Sequence, residues 1–284
     1  MKDNKQRCGG TFVFFLGLLL TTLVGCYGEY RDDLDYSHRV LQTWELNELE
    51  GEVIVQFEEV FWEPDDTISL REQITEGLIV EGRSVLEIGT GTGLLAVLSL
   101  RCDAKSVVAT DVNPAAVANA RYNAAMLAPQ GEIDVRTVPS DSLNAFSVIG
   151  EDEKFDLIIS NPPWEDGSIK APLDHAFYDP RFELMDTLLD GLPSHLTSGG
   201  RCLLAYGHRP ALERLKEQCE SRGFGFEVLD DREIEDLERD FLPGMLVEIK
   251  VPFSRLGQAP DLKVSENAEE KDALSGGKAA ELDE

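Results

Sequence analysis

Residues 85–93 read Val-Leu-Glu-Ile-Gly-Thr-Gly-Thr-Gly, a short aliphatic strand that runs into a glycine-rich turn. The apolar residues 94–100 that follow predict a helix. Glycines adopt positive φ and let the backbone approach a ligand closely. A second predicted strand, 106–110, ends in Asp111, about 20 residues after the first glycine, a spacing that suits a carboxylate accepting hydrogen bonds from ribose hydroxyls. The stretch therefore predicts an α/β sheet with a ligand site at its carboxyl edge.

The glycine loop alone leaves the ligand open. Gly-x-Gly-x-Gly followed by an Asp fits dinucleotide enzymes among others, although the third glycine falls one position earlier than in the dinucleotide fingerprint. After Asp111, Asn113 and Pro114 are predicted as the cap and first residue of a helix that continues over 115–125. A second motif is needed to choose between ligands.

That motif is the turn Asn161-Pro162-Pro163-Trp164, which follows the apolar run 155–160, a predicted buried strand. The Asn161 amide oxygen and the Pro162 carbonyl can accept two hydrogens from a planar NH2 group. Prolines fix φ and lack N–H donors, so these acceptors hold their positions. Trp164 is either a platform on which the planar group stacks or a wall of the core. With a methyl-donor site upstream, the turn suits methyl transfer to an amide or exocyclic amine nitrogen.

Together the glycine loop, Asp111 and the Asn-Pro-Pro-Trp turn resemble the class I S-adenosylmethionine-dependent methyltransferases, most closely the branch that includes release-factor glutamine methyltransferases. The resemblance extends over residues 60–253, and residues 61–67, Phe-Trp-Glu-Pro-Asp-Asp-Thr, are similar to a segment that packs beside the cofactor. It implies a three-layer Rossmann-like α/β fold with a mostly parallel seven-stranded sheet and a terminal antiparallel strand. Release-factor relatives usually carry Tyr where Trp164 stands, so a glutamine substrate does not follow from the turn.

The same resemblance implies S-adenosyl-L-methionine as the cofactor and assigns the site residues. The cofactor-binding residues are expected to be Glu87, Gly89, Thr90, Gly91, Gly93, Asp111, Asp141 and Asn161, and the catalytic residues Asn161, Pro162 and Trp164. Asp141 is an adenine contact in this assignment and an ordinary turn residue in the alternative. Glu87 either orients the loop or contacts the amino group of the donor through water.

The charge of the chain bears on its partners. With a formal net charge of −28 over 284 residues and no Lys/Arg cluster, the chain repels phosphate backbones, which favours a protein or small-molecule acceptor over a nucleic acid. The five cysteines and four histidines show no metal-ligand spacing, so no metal site is predicted. The sequence makes no prediction of oligomeric state.

The N-terminus carries a separate pattern. Lys2, Lys5 and Arg7 precede an apolar stretch, 11–24, and the sequence Leu-Val-Gly-Cys at 23–26 resembles a lipobox, with Cys26 as the residue that would be lipidated. Three interpretations stay open: an uncleaved anchor with the catalytic domain facing the cytoplasm, a lipoprotein signal, or translation that begins downstream of this segment. We expect membrane association, with a cytoplasmic location as the alternative if the start is wrong.

Four regions are predicted along the chain: a signal or anchor segment at 1–26, a lead-in at 27–59, the catalytic domain at 60–253 and an acidic disordered tail at 256–284. Within the lead-in we expect a helix near 40–49 and a strand at 52–57. A polar loop over the substrate cleft is predicted at 167–179, and a helix at 181–192.

Two classes of function compete. One is an N-methyltransferase acting on a protein Gln or Asn amide, with a nucleobase exocyclic amine as the alternative acceptor. The other is a non-catalytic, envelope-anchored binding module that keeps the fold. The two-acceptor turn at Asn161 favours the enzyme, and the lipobox favours the module.

Overall fold

A seven-stranded sheet forms the centre of the protein in a computed structural model, which describes residues 31–77 and 79–257. The chain divides into two compact units, 1–33 and 34–284, and the described helices and strands belong to the second. In chain order the strands are β1 (Val40–Glu45), β2 (Val53–Phe57), β3 (Ser84–Ile88), β4 (Ser106–Asp111), β5 (Ile133–Thr137), β6 (Phe155–Ser160), β7 (Leu196–His208), β8 (Gly225–Val228) and β9 (Asp240–Lys250). The helices are α1 (Ile68–Thr75), α2 (Leu94–Arg101), α3 (Pro114–Leu127), α4 (Glu183–His195) and α5 (Arg209–Arg222).

The sheet confirms the predicted fold class. Its strand order is β5-β4-β3-β6-β7-β9-β8, and β9 runs antiparallel to both of its neighbours. The other ladders, from β5 through β7, are parallel. The order reverses between β3 and β6, so the loops after β3, β4 and β6 converge at one edge, where ligands bind in open α/β sheets.

Two apolar clusters cover the two faces of the sheet. Successive residues of a strand point to opposite faces, and Leu157 and Ile158 of β6 accordingly belong to different clusters. The cluster with Ile158 includes residues of α4 and α5, whereas the cluster with Leu157 includes residues of α1, α2 and α3. The result is the expected three-layer architecture of helices on both faces of a sheet.

The expected helix near 40–49 is wrong. Residues 40–45 form β1, which pairs antiparallel with β2 in a two-stranded sheet and is followed by a 3-10 turn, Asn47–Leu49. Contacts of Trp44 favour the strand over a helix. Its ring stacks on Trp62 at a centroid distance of 5.4 Å, and its Nε1 donates to Gln56 Oε1 at 3.0 Å. Partners from distant segments therefore override the local helical pattern.

Two asparagines of α3 hold this hairpin. The Oδ1 atoms of Asn119 and Asn123 accept hydrogen bonds from the backbone N–H groups of Phe57 and Val55, at 2.8 and 3.0 Å. Asn123 Nδ2 also donates to the carbonyl of Thr92, at 2.8 Å, in the glycine-rich turn. The hairpin and the turn are thus fixed to the same helix.

The helix predicted to begin at Arg181 begins two residues later. Arg181 and Phe182 adopt left-handed backbone conformations, with φ of 58° and 56°. The buried carboxylate of Asp179 then accepts hydrogen bonds from the N–H groups of Leu184 and Met185, at 2.8 and 3.0 Å, and so caps α4. The helical spacing of residues 181–192 did not predict these two left-handed residues.

The predicted leader (1–26) lies outside the described residues, as does most of the predicted acidic tail (258–284). Within residues 31–77 and 79–257, every helix is too short or too polar to span a bilayer.

Candidate active site

A cavity of about 840 Å³ opens at the carboxyl edge of the sheet. Its walls come from the turns after β3 (89–92), β4 (111–113) and β6 (161–165). Residues 61–64, 66 and 67 close one side, and residues between 172 and 180, most of them in the predicted polar loop, close another. The two sequence motifs therefore meet in one cavity, as the topology requires.

The glycine-rich turn lines this cavity and packs against α3. Gly93 has a φ of +82°, and a Cβ atom added there would lie 2.8 Å from the Cα of Ala120. Only glycine permits this close approach of α2 to α3. By contrast, a Cβ added at Gly89 or Gly91 would meet no atom within 4 Å, so the turn leaves space on that side for a ligand.

Two acids, the partly buried Asp111 and the buried Glu87, lie beside the turn. Asp111 accepts hydrogen bonds from the N–H groups of Gly91 and Asn113, at 2.9 and 2.8 Å, and burial raises the pKa of its carboxyl. Glu87 is 2% exposed and accepts a hydrogen bond from Thr90 Oγ1 at 2.7 Å. Burial raises the pKa of Glu87 to about 8, and the charge of Asp111 adds to the shift. Both side chains line the cavity without a paired cation there.

Asn161 directly follows β6 and also lines the cavity. Ser160 Oγ donates to the carbonyl of Ile88 at 2.6 Å, which ties the ends of β6 and β3 together. The Asn161 Nδ2 donates to Asp66 Oδ2 at 3.4 Å, and its Oδ1 is buried without a hydrogen-bond partner. A buried acceptor without a partner is costly, so this oxygen is suited to an N–H group brought by a ligand.

Trp164 is both a cavity wall and part of the packed interior. Its ring contacts one of the two apolar clusters and also borders the cavity. A Cβ added at Gly207 of β7 would lie 2.5 Å from Trp164 Cη2, so the absence of a side chain at Gly207 makes room for the indole. A stacking platform and a wall of the core, the two alternatives for Trp164, are therefore compatible in this arrangement.

Asp141, predicted as an adenine contact, lies outside the cavity lining. It is exposed and does not line the cavity, whereas its neighbours Ser142 and Asn144 do. The N–H of Ser142 donates to the carbonyl of Pro139 at 2.9 Å, and this tight turn separates Asp141 from the cavity wall. Gly93 does not line the cavity either. The predicted residues that do line it are Glu87, Gly89, Thr90, Gly91, Asp111, Asn161, Pro162 and Trp164.

The cavity is strongly acidic. Its lining includes Glu63, Asp66, Glu87, Asp111, Glu165, Asp179 and Asp240. The described lining residues include His175 but no Lys or Arg. A cavity of this composition attracts cations and repels phosphate groups.

The chain is similar in sequence to several methyltransferases. A protein from Methanocaldococcus jannaschii, named provisionally as a protein N5-glutamine methyltransferase, is 34% identical over 160 residues, 54% of this chain and 75% of that protein. The chain belongs to the class I S-adenosylmethionine-dependent methyltransferases. The release factor glutamine methyltransferase of Cereibacter sphaeroides is 36% identical over 159 residues, 50% of this chain and 54% of that enzyme. The tRNA1(Val) (adenine(37)-N6)-methyltransferase of Phocaeicola vulgatus is 37% identical over 95 residues, 33% of this chain and 38% of that enzyme.

The family model for ribosomal protein L11 methyltransferase (PrmA) matches residues 66–162. This range begins at Asp66 and ends at Pro162, so it includes the glycine loop, Asp111 and the start of the acceptor turn. The chain spans about half the length of the release-factor enzyme that it matches. The comparisons agree on a methyltransferase and name both protein and RNA acceptors among its relatives.

The residues around the glycine loop fit the cofactor of this family, S-adenosylmethionine. The donor carries ribose hydroxyls and a cationic amino acid end. Asp111 offers a carboxylate at the cavity wall, and the described residues that line the cavity include no Lys or Arg to pair with the buried Glu87. The open space beside Gly89 and Gly91 leaves room for the backbone to approach such a molecule.

Sequence reasoning missed two features of the methyltransferase site. Asp66, from the segment before α1, contacts Asn161, and the two residues are 95 positions apart. Ligand atoms of Glu165, His208 and Asp240 also lie within 4.8 Å of one another, with His208 Nδ1 at 2.6 Å from Asp240 Oδ1. Local spacing gives no indication of either cluster, because each joins segments that meet only in the folded chain.

Proposed function

We propose that the protein transfers a methyl group from S-adenosylmethionine to the side-chain amide nitrogen of a Gln or Asn residue in a protein. The observation that carries the proposal is the buried Oδ1 of Asn161, an acceptor without a partner in a residue that lines the cavity. A primary amide brings the N–H group that this oxygen lacks.

The donor would be held by the glycine loop and the two acids. Asp111 would accept hydrogen bonds from the ribose hydroxyls, and Glu87 would pair with the ammonium group of the donor, with Thr90 orienting Glu87. Ser142 and Asn144 border the cavity where the resemblance expects the adenine, beside the exposed Asp141. When bound, S-adenosylmethionine supplies an electrophilic methyl group at a sulfonium centre.

The acceptor turn would hold the target nitrogen. Asn161 Oδ1 and the carbonyl of Pro162 would accept the two hydrogens of the NH2 group, so that the nitrogen lone pair faces the methyl group. Because Pro162 and Pro163 have a fixed φ, the backbone of the turn would hold the two acceptors in position. The two oxygens also favour the positive charge that develops on the nitrogen during transfer. Trp164 would stack on the plane of the amide.

The charge of the cavity supports a protein acceptor over a nucleobase. The lining carries seven acids and no Lys or Arg among its described residues. A nucleic acid would have to bring its phosphates close to these carboxylates, and the full chain adds a net charge of −28. The nucleobase alternative draws on the relatives named as tRNA and rRNA methyltransferases. A binding module without activity would have no use for the unpartnered Asn161 oxygen.

The experiment uses the full chain, S-adenosylmethionine, a panel of Gln- and Asn-containing peptides, and tRNA as the competing acceptor. We expect methylation of a peptide amide, detected by fragment mass spectrometry as one added methyl group. Asn161→Ala should abolish turnover and leave donor affinity unchanged, since the proposed contacts of this side chain are to the acceptor. Methylation of tRNA alone would establish the nucleobase alternative. A loss of donor affinity in Asn161→Ala equal to that in Asp111→Ala would refute the assigned role of Asn161.

Membrane attachment through residues 1–26 is a separate proposal, motivated by the basic leader and the Leu-Val-Gly-Cys sequence. Lipidation of Cys26 would hold the protein by its acyl chains. Cys26→Ser should then release the protein into the soluble fraction or leave an uncleaved precursor. A native protein that sediments as soluble and begins downstream of Cys26 without lipid would establish the cytoplasmic alternative.

A further inference from the structure

We infer that Asp66 is a positioning residue, which fixes the orientation of the Asn161 side-chain amide so that Oδ1 is the atom left for the methyl acceptor. The inference rests on the proposed function of the acceptor turn. Two observations support it. Asp66 Oδ2 lies 3.4 Å from Asn161 Nδ2, and Asn161 Oδ1 is buried without a hydrogen-bond partner.

The backbone around Asp66 is held in place on several sides. Asp66 is 3% exposed and lies in a 3-10 turn, Pro64–Thr67. A Cβ added at Gly244 of β9 would lie 2.2 Å from the Asp66 carbonyl oxygen, so the backbone of the strand packs directly against the turn. Thr67 Oγ1 and Arg71 Nη2 both donate to the carbonyl of Pro64, at 3.3 and 3.2 Å. The carboxyl of Asp66 therefore has little freedom to follow Asn161 if that side chain rotates.

The chemistry of the pair selects one amide orientation. An ionised carboxylate only accepts hydrogen bonds, so it favours the orientation in which Nδ2 of Asn161 faces it. The reverse orientation would place Oδ1 against a carboxylate oxygen, where two acceptors repel. It would also turn the NH2 group of Asn161 towards the NH2 group of the acceptor, so that neither could accept a hydrogen bond.

The environment of Asp66 makes this control depend on its ionisation. Burial raises the pKa of Asp66 to about 7, the hydrogen bond from Asn161 opposes the shift, and the nearby Glu63 and Asp65 add to it. A protonated Asp66 can donate to Asn161 Oδ1 and so occupy the acceptor. The ionised form is therefore the one that leaves Oδ1 for the substrate.

The test compares Asp66→Leu, which removes the acceptor at similar size, with Asp66→Asn, which retains one acceptor oxygen. Glu72→Gln is the control, because Glu72 is an exposed acid of α1 that does not line the cavity. In methylation assays we expect kcat to fall about 10- to 100-fold in Asp66→Leu and less in Asp66→Asn. Donor Kd should stay unchanged in all three. Asp66→Ala takes the place of Asp66→Leu if the latter does not fold.

A second readout does not depend on the acceptor. The side-chain amide resonances of Asn161, identified by their loss in Asn161→Ser, should move in Asp66→Leu and stay in place in Glu72→Gln. If wild-type protein methylates no amide, the proposed function fails while the amide resonances still report on Asp66. Unmoved resonances in Asp66→Leu, or wild-type kcat in a folded Asp66→Leu variant, would overturn the inference.

Discussion

The carboxylate of Asp111 accepts a hydrogen bond from the backbone N–H of Gly91, with an N···Oδ2 distance of 2.9 Å. Its other oxygen accepts the N–H of Asn113 at 2.8 Å. One side chain therefore joins the turn after β3 to the turn after β4, at the wall of the cavity. Each carboxylate oxygen can accept a further bond, so the group that shapes the loop is also available to ribose hydroxyls.

Asp111→Ala should weaken binding of S-adenosylmethionine strongly. Each lost hydrogen bond from a ribose hydroxyl to the charged acceptor is worth about 1.5–3 kcal/mol, and the N–H of Gly91 also loses its partner. Calorimetric titration measures the effect. Asp103→Asn, a change at an exposed acid in the turn between α2 and β4, is the matched control. Equal donor affinity in the Asp111 variant and the control would contradict the role given to Asp111.

Donor affinity should rise with pH because of Glu87. Burial raises the pKa of Glu87 to about 8, so at neutral pH the carboxyl is mostly protonated. A cationic ammonium beside it favours the ionised form and lowers this pKa, so donor binding releases a proton. Affinity should therefore increase from about pH 6 to 7.5, where the ammonium remains charged.

The same titration in two buffers of different ionisation heat counts the released protons. In Glu87→Gln the proton release and the pH dependence should both disappear, with weaker donor binding throughout. A pH dependence that persists unchanged in this variant would assign it to another group.

Gly93→Ala should destabilise the fold more than Gly82→Ala. Both glycines have positive φ, but a Cβ at Gly93 would lie 2.8 Å from Ala120 Cα, whereas a Cβ at Gly82 meets no atom within 4 Å. We expect Gly82→Ala to cost about 1–2 kcal/mol for the left-handed conformation. Gly93→Ala adds an overpacking cost of about 1–3 kcal/mol. Denaturant unfolding measures both, and equal costs would refute the close contact of α2 with α3.

The parts of the site that the sequence predicted are the parts encoded locally. The turn at 89–93 follows from glycine chemistry after an aliphatic strand, and Asp111 follows from its spacing after that turn. The acceptor turn at 161–164 is a run of adjacent residues with fixed φ at the prolines. Parallel topology then brings these three elements to one edge of the sheet, as predicted.

The parts that the sequence did not predict depend on contacts between distant segments. Stacking of Trp44 on Trp62 and pairing with β2 favour a strand at 40–45, so the local pattern wrongly predicted a helix there. The pairing of Asp66 with Asn161 crosses 95 positions. Asp141 is exposed in the turn that the hydrogen bond from Ser142 to Pro139 closes. The resemblance, which predicted an adenine contact at Asp141, did not predict this turn.

The most direct measurement of the central claim follows an isotope-labelled methyl group from S-adenosylmethionine into an extract of cells that lack this protein. The purified full chain is added, protein and RNA are separated, and the labelled atom is located by fragment mass spectrometry. We expect label on the side-chain amide nitrogen of a Gln or Asn residue, with none added by Asn161→Ala. Label that enters only RNA, or label that is transferred equally by Asn161→Ala, would contradict that claim.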